Sequence, residues 1–172
     1  MTDRTGPVVR LAPMDADRLP AWIEAGKADY RADRIRAGEP VDRATDEAEQ
    51  TYAAWFAHGE PAPDHLVRDV VWDEAVVGSL WVGPQSIGRT DEWWVWNVEI
   101  AEEYRGRGFG RRAMELAEDL VREHGATSLG LNVFGFNTAA RRLYESLGYD
   151  VTAVRMSKPL DAERPGMTEP QA

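Results

Sequence analysis

The sequence contains no cysteine and only three histidines, and this narrows the chemistry that it can carry. Without thiols there is no disulfide, no thiolate metal site and no cysteine-based covalent intermediate. His58, His65 and His124 are scattered along the chain, with no metal-ligand spacing among them. We therefore expect no metal site.

Long apolar runs are also missing. No uninterrupted apolar stretch approaches the ~20 residues that a membrane-spanning helix needs, and the first twenty residues hold no apolar signal core. These absences predict a soluble, cytoplasmic protein without a membrane partner.

The chain also has no excess of basic residues, because its formal net charge is -10. General binding to nucleic acid needs a positive surface, so we expect no nucleic-acid partner. Acidic residues are concentrated from Glu39 to Glu74, where ten face two basic ones. The simpler interpretation is that this stretch forms a solvated surface that aids solubility. Alternatively, its negative electrostatic field attracts a cationic acceptor.

The 172 residues, 43% of them apolar, suit one domain over residues 1–160, followed by a polar, proline-rich tail at 161–172 that we expect to be disordered. A helix is predicted at 16–38, with Asp15 as N-cap and Pro20 and Gly26 able to break it in two. The other predicted elements are strands at 8–13, 93–101, 128–134 and 149–158, a hairpin around Asp73–Glu74, and helices at 42–59, 111–125 and 137–148. This order predicts an α/β (α+β) fold with a mixed, mostly antiparallel sheet and helices on both faces.

A glycine-rich turn, Tyr104–Gly110, joins an apolar strand to a helix. It lacks the Gly-Lys-Ser/Thr of a Walker loop, and its glycines do not have the G-x-G-x-x-G spacing of a Rossmann turn. Glycines allow the backbone to approach a ligand closely, and free amides at a helix start favour an anion. Together with Arg105, Arg107, Arg111 and Arg112, the turn suits a pyrophosphate. The alternative is a tight turn followed by a solvated, basic helix start.

The pattern R-x-x-G-x-G at Arg105–Gly110 resembles the acetyl-CoA loop of the GNAT superfamily of N-acetyltransferases. Upstream, NVEIAEEY resembles the fourth strand of that family. Downstream, LNVFGFNTAARRLYESLGY resembles its second cofactor segment. The resemblance is close from Trp93 to Tyr149, and two motifs in the right order make it specific.

The resemblance implies a GNAT-like sheet with splayed central strands, and acetyl-CoA as co-substrate in the gap between them. Asn137 matches a position that contacts the cofactor, although a helix cap would equally explain it. The implied cofactor-binding residues are Val98, Ile100, Ala101, Arg105, Gly106, Arg107, Gly108, Phe109, Gly110, Arg111, Asn132, Asn137, Ala140 and Tyr144.

The chemistry that the resemblance implies needs a base near the amine and an acid near the departing sulfur. Tyr144 matches the family position that protonates or hydrogen-bonds that sulfur. Its spacing also fits a core position, because four residues lie at i, i+3, i+4 and i+7: Ala140, Leu143, Tyr144 and Leu147.

Glu99 is the candidate base. Simple alternation puts Trp94, Trp96, Val98 and Ile100 on one face of the strand, and Val95, Asn97 and Glu99 on the other. A carboxylate within an apolar strand is costly unless it is paired or lies at a cleft. Glu99 could instead pair with an arginine, and a water relay could replace it as base.

The seven tryptophans are many for a chain of this length. Trp72, Trp81, Trp94 and Trp96 fall in predicted strands and suit the core. Trp93 or Trp55 could line an aromatic slot for the acceptor. The resemblance implies that Trp22 and Tyr30 lie near the acceptor site, although a structural role explains each of them too.

The sequence thus predicts an N-acetyltransferase that moves acetyl from acetyl-CoA directly to a primary amine of a small molecule or peptide. A non-catalytic acyl-CoA-binding module is the alternative, and a protein that binds the phosphates of another nucleotide is a third interpretation. A homodimer stays open.

Overall fold

The computed structural model describes residues 8–158 and residue 160. The strands are β1 (Val9–Pro13), β2 (Leu66–Trp72), β3 (Ala75–Pro84), β4 (Glu92–Ile100) and β5 (Ser128–Leu131). The α-helices are α1 (Leu19–Arg36), α2 (Val41–Trp55), α3 (Phe109–Glu123) and α4 (Thr138–Ser146), and short 3₁₀ turns cover Ala57–Gly59 and Glu102–Tyr104.

The five strands form one sheet in the order β1-β2-β3-β4-β5. The first four are antiparallel neighbours, and β5 is parallel to β4 after the crossover through α3. The β4–β5 pairing runs only from Glu92 opposite Ser128 to Val95 opposite Leu131. β5 ends at Leu131, and β4 continues to Ile100 without a described strand on this side, so the predicted mixed sheet with an open centre is confirmed.

Helices cover both faces of the sheet, as predicted. On one face α3 packs its buried residues, among them Phe109, Met114 and Val121, against apolar side chains of the strands. On the other face α1 and α2 enclose an aromatic cluster with Ile23, Tyr52, Phe56 and Trp81 at its centre. Among the described residues, no helix combines the length and the apolar character that a membrane span requires.

Helix α1 is continuous, so the predicted break is wrong. Pro20 lies in the first turn, where a missing N–H costs nothing. Gly26 is buried against the Tyr52 hydroxyl of α2, which leaves no room for a Cβ. The N-cap is Arg18 rather than Asp15, because the helix begins only at Leu19. Asp15 supports the preceding turn, where its carboxylate accepts from the Asp17 amide.

A β-bulge in β4 overturns the predicted alternation. Trp81 lies opposite Asn97 and Val82 lies opposite Val95, so Trp96 has no partner on β3. The extra residue moves the side chains that follow it to the opposite face. The β4 residues that pack on the α3 side are therefore Trp93, Val95, Val98 and Ile100, whereas Trp96 joins the aromatic cluster under α1 and α2.

The last predicted strand is also wrong, because residues 151–158 form neither strand nor helix. All eight are exposed, including Val154 and Met156. A strand needs a hydrogen-bonded neighbour, and none of the five strands in the described part of the chain pairs with this segment. The predicted disorder of 161–172 lies outside the described residues.

Candidate active site

The turn before α3 has the conformation that its glycines allow. Gly106 and Gly108 have positive φ angles of 72° and 86°, and Gly108 is the N-cap of α3. A Cβ at either glycine would meet no atom within 4 Å, so the turn is open on its outer side. The left-handed conformation strongly favours glycine at both positions.

The amides of this turn are available to a ligand. Among the described residues, no carbonyl or side chain accepts a hydrogen bond from the amides of residues 106–111, and the first bond of α3 runs from the Arg112 amide to the Gly108 carbonyl. Free amides and the helix dipole together make an anion site. The turn therefore fits the pyrophosphate of a coenzyme A thioester.

All four arginines near the turn have protein partners, and Arg112 forms an ion pair with Glu115 in the first turn of α3, at 3.1 Å. The Arg107 guanidinium lies over the rings of Trp72 and Phe109, 4.7 and 5.3 Å from their centroids. Arg105 donates from Nε to the Ile100 carbonyl at 2.8 Å, and Arg111 donates to the Ser146 hydroxyl on α4. A phosphate at this turn would therefore meet mainly backbone amides, because the arginine side chains are engaged within the protein.

The gap between β4 and β5 exposes backbone of β4. The Ala101 amide donates to Val77 of β3 at 2.9 Å, and its carbonyl accepts from the Tyr104 amide, so both polar groups of Ala101 are used within the protein. Because successive residues of a strand point to opposite neighbours, the polar backbone groups of Val98 and Ile100 face the gap. The Ile100 carbonyl already accepts from Arg105, so the polar groups of Val98 and the Ile100 amide are the ones free to pair with the amides of a pantetheine arm.

Helix α4 lies beside the start of α3 and packs against the core on that side of the sheet. The Asn137 side chain accepts from the Ala140 amide at 3.2 Å, so its predicted capping role is confirmed. Gly110, at the start of α3, lies close to Leu143 of α4, so the two helices approach each other beside the turn. Asn132 is exposed in the connection from β5 to α4.

Tyr144 lies on the inner face of α4, where it packs against the core on the α3 side. Its ring meets that of Tyr149 edge-on, 6.0 Å between centroids. Burial raises the pKa of the Tyr144 hydroxyl, because the phenolate would lose its hydration. The hydroxyl therefore keeps its proton at neutral pH and can donate it.

Glu99 lies on the opposite face of the sheet, beneath α1. It is directly opposite Ser79 of β3, whose hydroxyl accepts from Trp22 Nε1 at 2.9 Å. Its carboxylate is 4.0 Å from Arg105, and both side chains are more than half exposed. The ion pair that the sequence analysis gave as the alternative is thus present but loose, and the carboxylate stays accessible.

Further side chains of α1 and α2 approach the same region. Tyr30 lies 6.4 Å from Phe134 of the β5–α4 connection, measured between ring centroids. The pKa of Tyr52 is raised mainly by burial, and further by the negative charges of Asp29 and Glu99. Asp29 and Glu99 therefore lie near one buried hydroxyl between α1, α2 and β4.

His65 is the residue of this region that the sequence does not reveal. It is 5% exposed, its Nδ1 accepts from Trp81 Nε1 at 3.0 Å, and its ring stacks on Trp55 at 4.2 Å. Burial lowers its pKa to about 4, so the ring is neutral. In the sequence, a single histidine before an apolar strand is not distinguishable from a surface residue. Only the packing shows that His65 is a buried part of the aromatic cluster.

The two tryptophans predicted for an acceptor slot lie elsewhere. Trp55 packs against His65 and Trp96 in the aromatic cluster. Trp93 is 3% exposed in the core on the α3 side, and its Nε1 donates to the Thr90 carbonyl. Neither ring faces the gap between β4 and β5 in a way that would hold an acceptor, since both are packed within the protein.

Comparison with known proteins agrees with this geometry. The acetyltransferase (GNAT) family matches residues 27–149. The uncharacterized N-acetyltransferase YycN of Bacillus subtilis (strain 168) is 28% identical over 155 residues, which cover 88% of this chain and 99% of YycN. The crystal structure of YycN superimposes on this chain with a TM-score of 0.81 and 27% sequence identity. The match covers 89% of this chain and 99% of the YycN chain.

A shorter match is the [ribosomal protein bS18]-alanine N-acetyltransferase of Escherichia coli (strain K12), 35% identical over 65 residues, or 38% of this chain and 44% of that enzyme. The family model spans well over half of the chain. Members of this family use acetyl-CoA as acetyl donor. The chain belongs to the GNAT family and is an acyl-CoA-dependent acetyltransferase.

Proposed function

We propose that this protein transfers acetyl from acetyl-CoA directly to a primary amine of a small molecule or peptide. The row of free amides at residues 106–111, beside the open gap between β4 and β5, is the observation that carries the proposal. The family match over 27–149 supports a single catalytic domain within residues 1–160.

The proposed base and the proposed acid lie on opposite faces of the sheet. Acetyl-CoA supplies the thioester carbonyl that the amine attacks. Glu99, on the α1 side, accepts the proton that the amine loses, and Tyr144, on α4, donates a proton to the departing sulfur. The polar backbone of Val98 and Ile100 holds the donor in the gap, so that both side chains act on one reaction centre.

The acceptor is proposed to carry positive charge. Asp29 and Glu99 both act on Tyr52, and Asp33, one turn from Asp29, is partly buried with a pKa that burial raises. Negative charge on this side of the sheet would favour a cationic acceptor. The Escherichia coli relative acetylates an alanine of ribosomal protein bS18, as its name states, which supports a peptide amine as one acceptor.

Calorimetric titration with acetyl-CoA, with ATP and NAD as controls, tests the donor site first. We expect micromolar binding of acetyl-CoA and none of NAD. If ATP bound as well as acetyl-CoA, the protein would instead be a general nucleotide-phosphate binder.

Tyr144→Phe then separates an enzyme from a non-catalytic acyl-CoA-binding module. Once a panel of amines has identified an acceptor, we expect Tyr144→Phe to lower kcat by about 10²–10³ while the Kd for acetyl-CoA stays unchanged. Arg142, on the exposed side of the same helix, offers a control, because Arg142→Lys should change neither value. Full turnover by Tyr144→Phe would contradict the role of the tyrosine as acid.

A further inference from the structure

Three polar side chains form one row across the sheet, on the face that α1 and α2 cover. Asp69 of β2 lies opposite Ser79 of β3, and Ser79 lies opposite Glu99 of β4. Asp69 and Ser79 are each 6% exposed, whereas the Glu99 side chain is 51% exposed. Directly opposite side chains have Cβ atoms about 4.5–5.5 Å apart, so each member of the row is within reach of the next.

Helix α1 supplies partners for the first two members of the row. Arg18, its N-cap, donates to Asp69 Oδ2 at 2.5 Å, and Trp22 donates from Nε1 to Ser79 Oγ at 2.9 Å. Residues four positions apart lie on one face of a helix, and the next position on this face is Gly26. Because glycine has no side chain, this face of α1 offers no partner to the third member of the row.

The Ser79 hydroxyl has a proton left to donate. A hydroxyl can accept two hydrogen bonds and donate one, and Trp22 uses only an accepting position of Ser79. Among the residues that the structure describes, no acceptor for this proton lies within hydrogen-bond distance. A buried donor without an acceptor is costly, so the hydroxyl favours an acceptor that can move toward it.

Two carboxylates of the row are neighbours of this proton, and one of them is free to move. Asp69 is held by Arg18, and its Oδ1 stays buried without a partner although Ser79 is adjacent. Both of these side chains are fixed, so the distance between them does not close. The Glu99 carboxylate is half exposed and lies 4.0 Å from Arg105. A change of rotamer can therefore bring it to Ser79 Oγ.

We propose that Ser79 is a positioning residue for the Glu99 base: its hydroxyl, held by Trp22, donates a hydrogen bond to the Glu99 carboxylate. The inference rests on the proposed function, because it assigns a partner to the base named there. A donated hydrogen bond stabilises the charged form of a carboxylate, which is the form that accepts a proton. The same bond holds the carboxylate beneath α1, at the place where Gly26 leaves room.

Other groups that act on this carboxylate stay unchanged when Ser79 is replaced. Arg105, from the turn before α3, is 4.0 Å from Glu99. On the helix side, the pKa of Tyr52 of α2 is raised mainly by burial and further by the charges of Asp29 of α1 and Glu99. A change in the pH dependence of a Ser79 variant therefore reports the loss of the hydroxyl.

A crystal structure of the protein soaked with acetyl-CoA at neutral pH tests the contact without an acceptor amine. We expect Ser79 Oγ and a Glu99 carboxylate oxygen within about 3.0 Å of each other, as in an O–H···O hydrogen bond. A separation above about 3.5 Å would overturn the proposal, whether or not the protein acetylates amines. If the contact is present but no amine is acetylated, the proposed function fails and the contact stands.

The pH dependence of acetyl transfer separates positioning from packing. With a linear diamine and a peptide with an N-terminal alanine as acceptors, Ser79→Ala should move the low-pH decrease of kcat/KM upward by about one pH unit. Activity then falls up to about 10-fold on the acid side and less at high pH. Ser79→Thr, which keeps the hydroxyl, should retain the wild-type profile. Ser128→Ala, the same change at the exposed start of β5, is the matched control.

Two further measurements make the result decisive. An unchanged Kd for acetyl-CoA shows that Ser79→Ala is folded, and a wild-type profile in that variant would mean that the hydroxyl only packs against Trp22. In the Glu99→Gln background, Ser79→Ala should cause no further loss of kcat/KM, because the hydroxyl acts through the carboxylate. Additive losses would overturn the proposal.

Discussion

Glu99 is accessible and only loosely paired with Arg105, so we expect its carboxylate to be free to take a proton. Glu99→Gln should lower kcat/KM by about 10²–10³ and remove the decrease of activity at low pH that a base produces. The Kd for acetyl-CoA should stay the same. Glu103→Gln, an exposed neighbour in the 3₁₀ turn, should retain the wild-type pH–rate profile. An unchanged profile for Glu99→Gln would favour a water relay.

His65 should make the stability of the protein depend on pH. Its pKa is lowered by burial from 6.5 to about 4, so between these values the unfolded chain binds a proton that the folded protein does not. The stabilisation is complete above pH 6.5 and is lost as the pH falls toward 4. At about 1.4 kcal/mol per pH unit, the free energy of unfolding should fall by roughly 2 kcal/mol between pH 6.5 and pH 5.

Urea denaturation at several pH values measures this loss. His65→Gln should be less stable at pH 7 but should have a flatter pH dependence than the wild type, because the amide does not titrate. His124 is exposed, and His124→Gln should follow the wild-type curve. Equal slopes for His65→Gln and the wild type would show that another group causes the dependence.

Two glycines with the same backbone conformation can show whether the turn before α3 affects only stability or also the binding of acetyl-CoA. Gly108 and Gly125 both have a φ of 86°, and a Cβ at either would meet no atom within 4 Å. Either change to alanine should therefore cost about 1–2 kcal/mol of stability. Only Gly108 adjoins the free amides, so Gly108→Ala should also raise the Kd for acetyl-CoA about 10-fold.

Calorimetry on both variants checks this prediction. Gly125→Ala, at the other end of α3, should bind acetyl-CoA as the wild type does. Equal affinities for the two variants would mean that phosphate does not approach the backbone at Gly108.

Elements with local signals were predictable from the sequence. The glycine turn, the Asn137 cap and the hairpin at Asp73–Glu74 each depend on a few adjacent residues, and the structure has all three. The family resemblance also supplied the open gap between β4 and β5. These features need no knowledge of what packs beside them.

Elements that depend on distant partners were not predictable. Gly26 suggested a helix break, because the sequence does not show that the Tyr52 hydroxyl occupies the space beside it. The bulge at Trp96 arises from pairing with β3 and reverses the faces of Val98 and Ile100. His65 gains its role only through Trp81 and Trp55. Residues 151–158 have strand composition but no neighbour within the described chain.

The charge of the whole molecule should affect which amines react fastest. With a net charge of -10 and carboxylates near Tyr52, the protein should attract cationic acceptors, and added salt should screen that attraction. For a diamine acceptor, kcat/KM should fall several-fold between about 20 and 300 mM salt. A monoamine of the same length should show a smaller decrease. Equal salt dependence for the two would contradict steering by the acidic surface.

The strand order of the sheet is the same as the order of the strands along the chain. During translation, each new strand therefore emerges from the ribosome when its neighbour in the sheet is already complete. The antiparallel pairs from β1 to β4 can close in sequence, and only β5 has to wait for a helical crossover. The pairing of β5 with β4 is consequently the last step in assembling the sheet, so the gap between these two strands opens only when the rest of the sheet is already in place.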